Sequence, residues 1–368
     1  MIRLFGTDDA DSLVGGARVD MLSGGTRRDP ADDQGDDTLR GLDRADLLRG
    51  WAGDDSLVGG DGADTLAGGE GDDALLGGAG RDLLIGGAGP DRLDGGPGDD
   101  TISPSTKLFG APEFNIVEGG AGRDWLTYES EPFERVVISL GGGLSYDVVS
   151  GVENLRGGHG GDRLTGDAGR NRLEGLGGED TLGGGDGADT LIGGDEDGLG
   201  DVLDGGTGRD SLEGGGGFDA LHGGAGRDWL DGGAVFDRLS GDAGRDTITG
   251  GDGADTLAGG TGRDVFRFTS PAEGGDLILD YAPRRDGIEV SAAGFAAGLV
   301  PGMDLDAAER MAVSRGGLPD RPFGQFLFDR LAATLSWDPD GTGPEAAVLL
   351  ATLEGVRRWS GAEIIVVA

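Results

Sequence analysis

The sequence predicts an all-β protein: a parallel β-roll, that is, a right-handed β-helix or solenoid, in two repeat arrays, with a small, mainly-β C-terminal cap containing a short helix. Three observations predict it. Residues recur with a period of nine, glycine holds positions 1, 2 and 4 of most periods, and one Leu or Ile per period stands two residues after an aspartate.

Composition sets the physical problem that this period must solve. Glycine supplies 82 of 368 residues, without the G-X-Y order of collagen. Aspartate and glutamate number 69 against 30 lysines and arginines, a formal charge of −39, which disfavours nucleic acid and anionic membrane as partners. So acidic a chain, poor in aromatics, stays disordered unless its carboxylates are neutralised. Cysteine is absent, which removes disulfides and thiolate metal sites. The start, MIRLFGTDDADSL, turns charged too early for an N-terminal signal peptide, and no apolar run is long enough for a membrane span.

From residue 59 the chain reads GGDGADTLA, GGEGDDALL, GGAGRDLLI, GGAGPDRLD, GGPGDDTIS, each fitting G-G-x-G-x-D-x-U-x with U a Leu or Ile. DDQGDDTLR, GLDRADLLR and GWAGDDSLV extend the register back to residue 32, and three looser frames precede them. A second array opens with GGAGRDWLT at 119, resumes with GGHGGDRLT at 157 and runs to GGTGRDVFR at 259–267. One of its frames, GGDEDGLGDVLD, is stretched.

Glycines at positions 1, 2 and 4 make the first six residues a tight turn, and x-U-x is a short strand with one inward apolar side chain. Turn, strand, turn, strand closes a flattened coil of eighteen residues. Asp64 then lies over Asp46 and Asp82 on one edge, while Asp55, Asp73 and Asp91 stack on the other. Carboxylates at the inter-strand spacing of about 4.8 Å repel by roughly 3–4 kcal/mol per pair at an effective dielectric near 20. One buried apolar residue per nine does not offset that together with the ordering of so many glycines, so a cation must bind as the chain folds. Aspartate and backbone carbonyl oxygens, with no thiol and almost no imidazole, make a hard, flexible site that suits Ca2+ better than Mg2+.

These frames resemble the RTX, or haemolysin-type, calcium-binding repeats of proteins exported by bacterial type I secretion; thirteen turns keep G-G-x-G-x-D intact. The resemblance implies multiple Ca2+ ions between turns one coil apart, held by position-6 aspartates and loop carbonyls. In the first array the implied ligands are Asp37, Asp46, Asp55, Asp64, Asp73, Asp82, Asp91 and Asp100. In the second they are Asp124, Asp162, Asp180, Asp189, Asp210, Asp219, Asp228, Asp237, Asp246, Asp255 and Asp264. Arg18, Arg27, Arg44 and Val235 replace the position-4 glycine and Asn171 replaces an aspartate, so those turns are expected to bind weakly or stay empty.

Arginine recurs at position 5 in Arg81, Arg123, Arg209, Arg227, Arg245 and Arg263. It either forms a ladder for an anionic extracellular polysaccharide or cell surface, or compensates charge beside the aspartate column; the sequence favours compensation.

The expected domains are a first roll at 1–103, a linker at 104–118 holding the only lysine, Lys107, a second roll at 119–264 with a strand insert at 125–156, and a cap at 265–368. In the insert, VVISL and YDVV are strand-like. In the cap, DVFRF, DLILDY and GIEVSA predict strands, DLDAAERMAVSR at 304–315 an amphipathic helix, QFLFDRLAATLSWDPDGTG a hairpin and AAVLLATLEGV a further strand. The ending, EIIVVA, resembles an uncleaved type I export signal, or is a last edge strand; export through that apparatus makes the protein secreted and extracellular.

No catalytic site is expected. His159 and His222, the two histidines, lie inside repeat turns, and neither H-E-x-x-H nor G-x-S-x-G occurs. The abundant carboxylate pairs belong to the repeat, where calcium is their expected partner. A hydrolase within 265–368 and a surface-layer role are the remaining alternatives.

Overall fold

A computed structural model describes residues 3–7, 11–16, 18, 20–25, 35–105, 114–129, 135–142, 147–195, 199–295, 311–314, 325–329, 332–339, 347–354, 356 and 364–367. The chain divides into two compact units, Met1–Gly177 and Gly178–Ala368.

Both units are parallel β-solenoids, and the nine-residue frame explains why. In Thr65–Glu70 (TLAGGE) the leucine points inward and the flanking residues outward, so one strand buries one large side chain, and the following glycines begin the next turn. Two frames return the chain to the same sheet one coil on. The first unit's first sheet therefore pairs Leu4, Leu22, Leu48, Leu66, Leu84, Ile102, Leu126, Leu155 and Leu173 in one column. Its second sheet pairs Leu13, Leu39, Leu57, Leu75, Leu93, Val117 and Val149. From Leu22 and Leu39 to Leu173 and Val117 these side chains are essentially inaccessible, so the core is a double file of stacked aliphatic residues.

Irregular stretches leave the lattice without breaking it. Residues 106–113 of the expected linker lie outside the described residues; Thr101–Ser105 and Ile116–Ala121 on either side are strands, and Ile116–Ala121 pairs with Arg92–Pro97 in the normal register. The insert at 125–156 does more. Val148–Ser150 extends the second sheet, but Val137–Ser139 pairs instead with Arg163–Thr165. The second sheet is thereby interrupted while Asn154–Arg156 continues the first.

In the second unit one sheet pairs Leu191, Leu212, Leu230, Ile248, Phe266, Ile288 and Ile364, and the other Leu182, Leu203, Leu221, Leu239, Leu257, Ile278 and Leu353. The cap thus continues the same columns. Gln325–Asp329 and Thr334–Asp338 form the expected antiparallel hairpin, and Val348–Leu353 joins it to the roll. Phe295, Phe326 and Trp337 pack against one another with ring centroids 4.7–5.7 Å apart, and Phe326 and Trp337 are fully buried.

One expectation needs correction. Within the helix expected over 304–315, Met311–Ser314 is a strand paired in parallel with Gln325–Asp329; residues 304–310 and 315 lie outside the described residues. The open edge of the hairpin supplies a full row of backbone partners, which outweighs a helical pattern carried by so few residues. The described α-helix is the single turn Ala292–Phe295.

Candidate metal centre

Each position-6 aspartate is the hinge between turn and strand, and the strand register decides where its two oxygens go. All nineteen aspartates expected as ligands are buried. In the first unit Oδ1 of Asp64, Asp82, Asp100 and Asp124 accepts the backbone N–H of the aspartate one coil earlier, at 2.7–2.8 Å. On the opposite edge Asp55, Asp73 and Asp91 do the same at 2.7–3.0 Å. The second unit repeats this from Asp189 through Asp210, Asp228 and Asp246 to Asp264, and from Asp201 through Asp219 and Asp237 to Asp255. Both expected columns are therefore present.

The second oxygen is the telling one. Oδ2 of Asp46, Asp64, Asp73, Asp82, Asp100 and Asp124 is buried with no hydrogen-bond partner. So is Oδ2 of Asp210, Asp219, Asp228, Asp237, Asp246, Asp255 and Asp264. A buried carboxylate oxygen with no donor is costly, and a whole column of them is a demand for a cation. The surroundings fit one. A Cβ built on Gly59 would sit 2.4 Å from Asp64 Oδ2 and 2.5 Å from the Gly77 carbonyl oxygen, so carboxylate and next-coil carbonyl face one small space that only glycine leaves open. Gly68, with Asp73 Oδ2 and the Gly86 carbonyl, repeats the arrangement. Among the described residues no three carboxylate or imidazole groups converge, so the remaining donors are backbone carbonyls. That donor set, hard oxygen from flexible turns, matches calcium.

Not every turn is built this way. Asp162, which the sequence groups with the others, uses both oxygens: Oδ1 accepts the Val136 N–H and Oδ2 the Gly158 N–H of its own turn, each at 2.7 Å. Asp20 Oδ2 takes the Gly16 N–H, Asn171 Oδ1 the Asp167 N–H and Asp286 Oδ2 the Ala282 N–H, all four residues back. These turns are self-capped. The backbone separates the two kinds: turns with the orphaned oxygens named above hold position 2 at positive φ, as at Gly60 (117°), Leu42 (83°) and Asp242 (63°), whereas Gly16, Gly158, Asp167 and Ala282 do not. Protein donors also replace a cation at the insert. Asn171 Nδ2 donates to the Glu153 carbonyl, Asn115 Nδ2 to Asp147 Oδ1, and the Tyr128 hydroxyl donates to Asp147 Oδ2. At the cap the Arg285 guanidinium contacts both oxygens of Asp286 at 2.9 and 3.1 Å and the Gly260 carbonyl at 3.3 Å.

Electrostatics follow the geometry. Burial first, and neighbouring carboxylates second, push Asp64, Asp82, Asp100 and Asp124 up to about 6. Burial likewise pushes Asp237 and Asp246 up to about 7, and Asp276, which ends one column, to about 8. Arg285 offsets the rise at Asp264.

Several residues of the columns escape a search for G-G-x-G-x-D. Asp201 lies in the stretched frame, where Gly198 occupies the sixth place counted from Gly193, yet its Oδ1 accepts the Asp180 N–H at 2.8 Å. Asn115, Asp147, Glu153, Asp276 and Asp286 hold equivalent rungs. All stand two residues before an apolar strand residue, so counting backwards from the strand finds them.

Fold and site together define a repeat solenoid whose turns present stacked oxygen donors to cations. The RTX calcium-binding nonapeptide repeat (4 copies) matches residues 3–26, 33–66, 67–102, 149–182, 156–191, 197–230, 204–239 and 231–266, more than half of the chain. The chain belongs to this calcium-binding family. Among curated proteins no sequence matches it.

Proposed function

We propose that this is a secreted, non-catalytic protein whose rolls fold when the chain meets extracellular calcium. The observation that carries the proposal is the run of buried aspartate Oδ2 atoms without donors, each beside a glycine that leaves room for an ion. Asp46, Asp64, Asp73, Asp82, Asp100 and Asp124 in the first unit, and Asp210, Asp219, Asp228, Asp237, Asp246, Asp255 and Asp264 in the second, are the ligands best supported by it. Asp37, Asp55, Asp91, Asp180, Asp189 and Asp201 hold the same rungs.

Bound calcium supplies positive charge between coils. The residues do the rest: Oδ1 fixes each aspartate to the coil before it, the glycine carbonyls face inward, and the leucine column keeps water out. Without cations the columns repel themselves, so binding and folding are one equilibrium. A calcium-poor cytosol then holds the chain unfolded and exportable, and affinities of about 10⁻⁴–10⁻³ M, usual for extracellular modules, fold it outside. Ile364–Val367 pairs with Gly287–Ser291 and buries Ile364, so this strand too takes its place only in the folded roll.

Circular dichroism in EGTA, followed by calcium titration, tests the proposal. The expected result is a disordered spectrum that converts cooperatively to β-structure at submillimolar to millimolar calcium. A β-rich spectrum that is already complete at submicromolar calcium would overturn it.

A further inference from the structure

On one edge of the second unit four arginines, Arg209, Arg227, Arg245 and Arg263, stand one coil apart. All four are exposed, and among the described residues no ion pair engages any of them. Their spacing is rigidly held. The backbone N–H of Arg227, Arg245 and Arg263 donates to the carbonyl of Gly208, Gly226 and Gly244 in the preceding coil at 3.2–3.3 Å, and that of Arg209 to Gly187 at 3.3 Å. Beside them Thr207, Ala225, Ala243 and Thr261 pair as a short parallel ladder of small, uncharged, exposed residues. Within the first five residues of these four turns the single acidic side chain is Asp242, and it is engaged by the Ser240 hydroxyl at 2.6 Å and by His222 at 3.4 Å. Outward on the adjoining sheet the same frames carry Ser211, Trp229, Thr247 and Val265 next to the turn, with Glu213 and Asp231 two residues further along the strands.

In a molecule of net charge −39 these four arginines in register form a basic line, flanked by Asp242 and by Asp186, which takes the Thr207 hydroxyl at 2.7 Å one coil before. We propose that this edge is a binding site for a linear acidic polysaccharide, its carboxylates taken one by one by the arginine forks along the coil axis. Guanidinium groups recognise carboxylate in a planar, two-bond geometry, and the coil spacing of about 4.8 Å presents roughly one cation per rung. Duplex nucleic acid carries a phosphate about every 1.7 Å, far denser than the ladder, and would feel the rest of the acidic surface more strongly. An anionic membrane is flat and would press against the acidic faces as well as the edge. A chain polymer touches the line alone, and the indole of Trp229 offers an amphipathic surface beside it.

Isothermal titration of the calcium-saturated protein with an oligogalacturonate short enough to stay in solution with calcium tests the proposal, with dextran, single-stranded DNA and phosphatidylserine vesicles as comparisons. The expected result is binding of the oligogalacturonate, none of dextran, and loss of about tenfold or more in affinity when all four arginines become glutamine. Calcium-induced circular dichroism of that variant should match the parent, and Arg238→Gln, off the ladder, should bind as the parent does. Absence of oligogalacturonate binding, undiminished binding by the fourfold variant, or equal binding of DNA or vesicles overturns the proposal.

Discussion

At the scale of the residue, the decisive difference is between an aspartate whose second oxygen has no donor and one whose second oxygen is capped by its own turn. Asp82 and Asp162 share the G-G-x-G-x-D context and the same burial, yet only Asp162 Oδ2 has an N–H to accept. Asp82→Asn should therefore lower the calcium stoichiometry by at least one ion, and Asp162→Asn should leave it unchanged. Native mass spectrometry across a calcium series decides between these outcomes; equal loss from both would show that self-capping does not exclude metal. Much of the site is legible in the sequence, because the strand places an aspartate two residues before each inward leucine. Self-capping is not legible, since it depends on the sign of one φ angle at Gly158 or Gly78 that identical letters do not distinguish.

At the scale of the element, the turn imposes its backbone on whatever residue it receives. Val235 stands where most frames have the position-4 glycine and is held at φ 93°, with the carbon that a side chain would add on Gly253 only 1.5 Å from the Val235 carbonyl oxygen. The substitution thus leaves the turn shape intact, and the strain remains within it. A β-branched residue there costs about 1–2 kcal/mol, so Val235→Gly should raise the stability of the calcium-loaded protein by about 1 kcal/mol in urea unfolding once glycine's own ordering entropy is counted. No gain would mean that the neighbouring exposed side chains of Phe218 and Phe236, stacked at 6.2 Å, supply a compensating contact. Elements with the nine-residue grammar were readable in advance, as were the hairpin at 325–338 and the strand at 348–353. Met311–Ser314 was not, because its partner is a hairpin edge distant in sequence and its own letters alternate too briefly to announce a strand.

At the scale of the whole molecule, the raised aspartates link folding to pH. Their folded, metal-free pKa values of about 6 to 7 lie above the ordinary 3.8, so the folded chain holds more protons than the unfolded one between these limits. Stability from this source is fully present below about pH 4 and is lost as pH rises through 6 to 7. In EGTA, β-structure should accordingly be greatest in mild acid and fade towards neutrality. In calcium the sign reverses, since metal displaces those protons and binds more tightly as pH rises to about 7. Far-ultraviolet dichroism from pH 4 to 8, with and without calcium, checks both arms; an EGTA spectrum that gains structure with pH contradicts the linkage.

The self-capped turns carry a last consequence. In the first unit Asp20 stands before the open rungs and Asp162 after them, and in the second Asp286, clasped by Arg285, stands after them. On the proposed ligand set they act as stops on a zip: the loaded stretch is expected to end at them however much metal is supplied. The ionic cargo would then be a whole number written into the turns, with excess calcium changing how fully that number is reached but not the number itself.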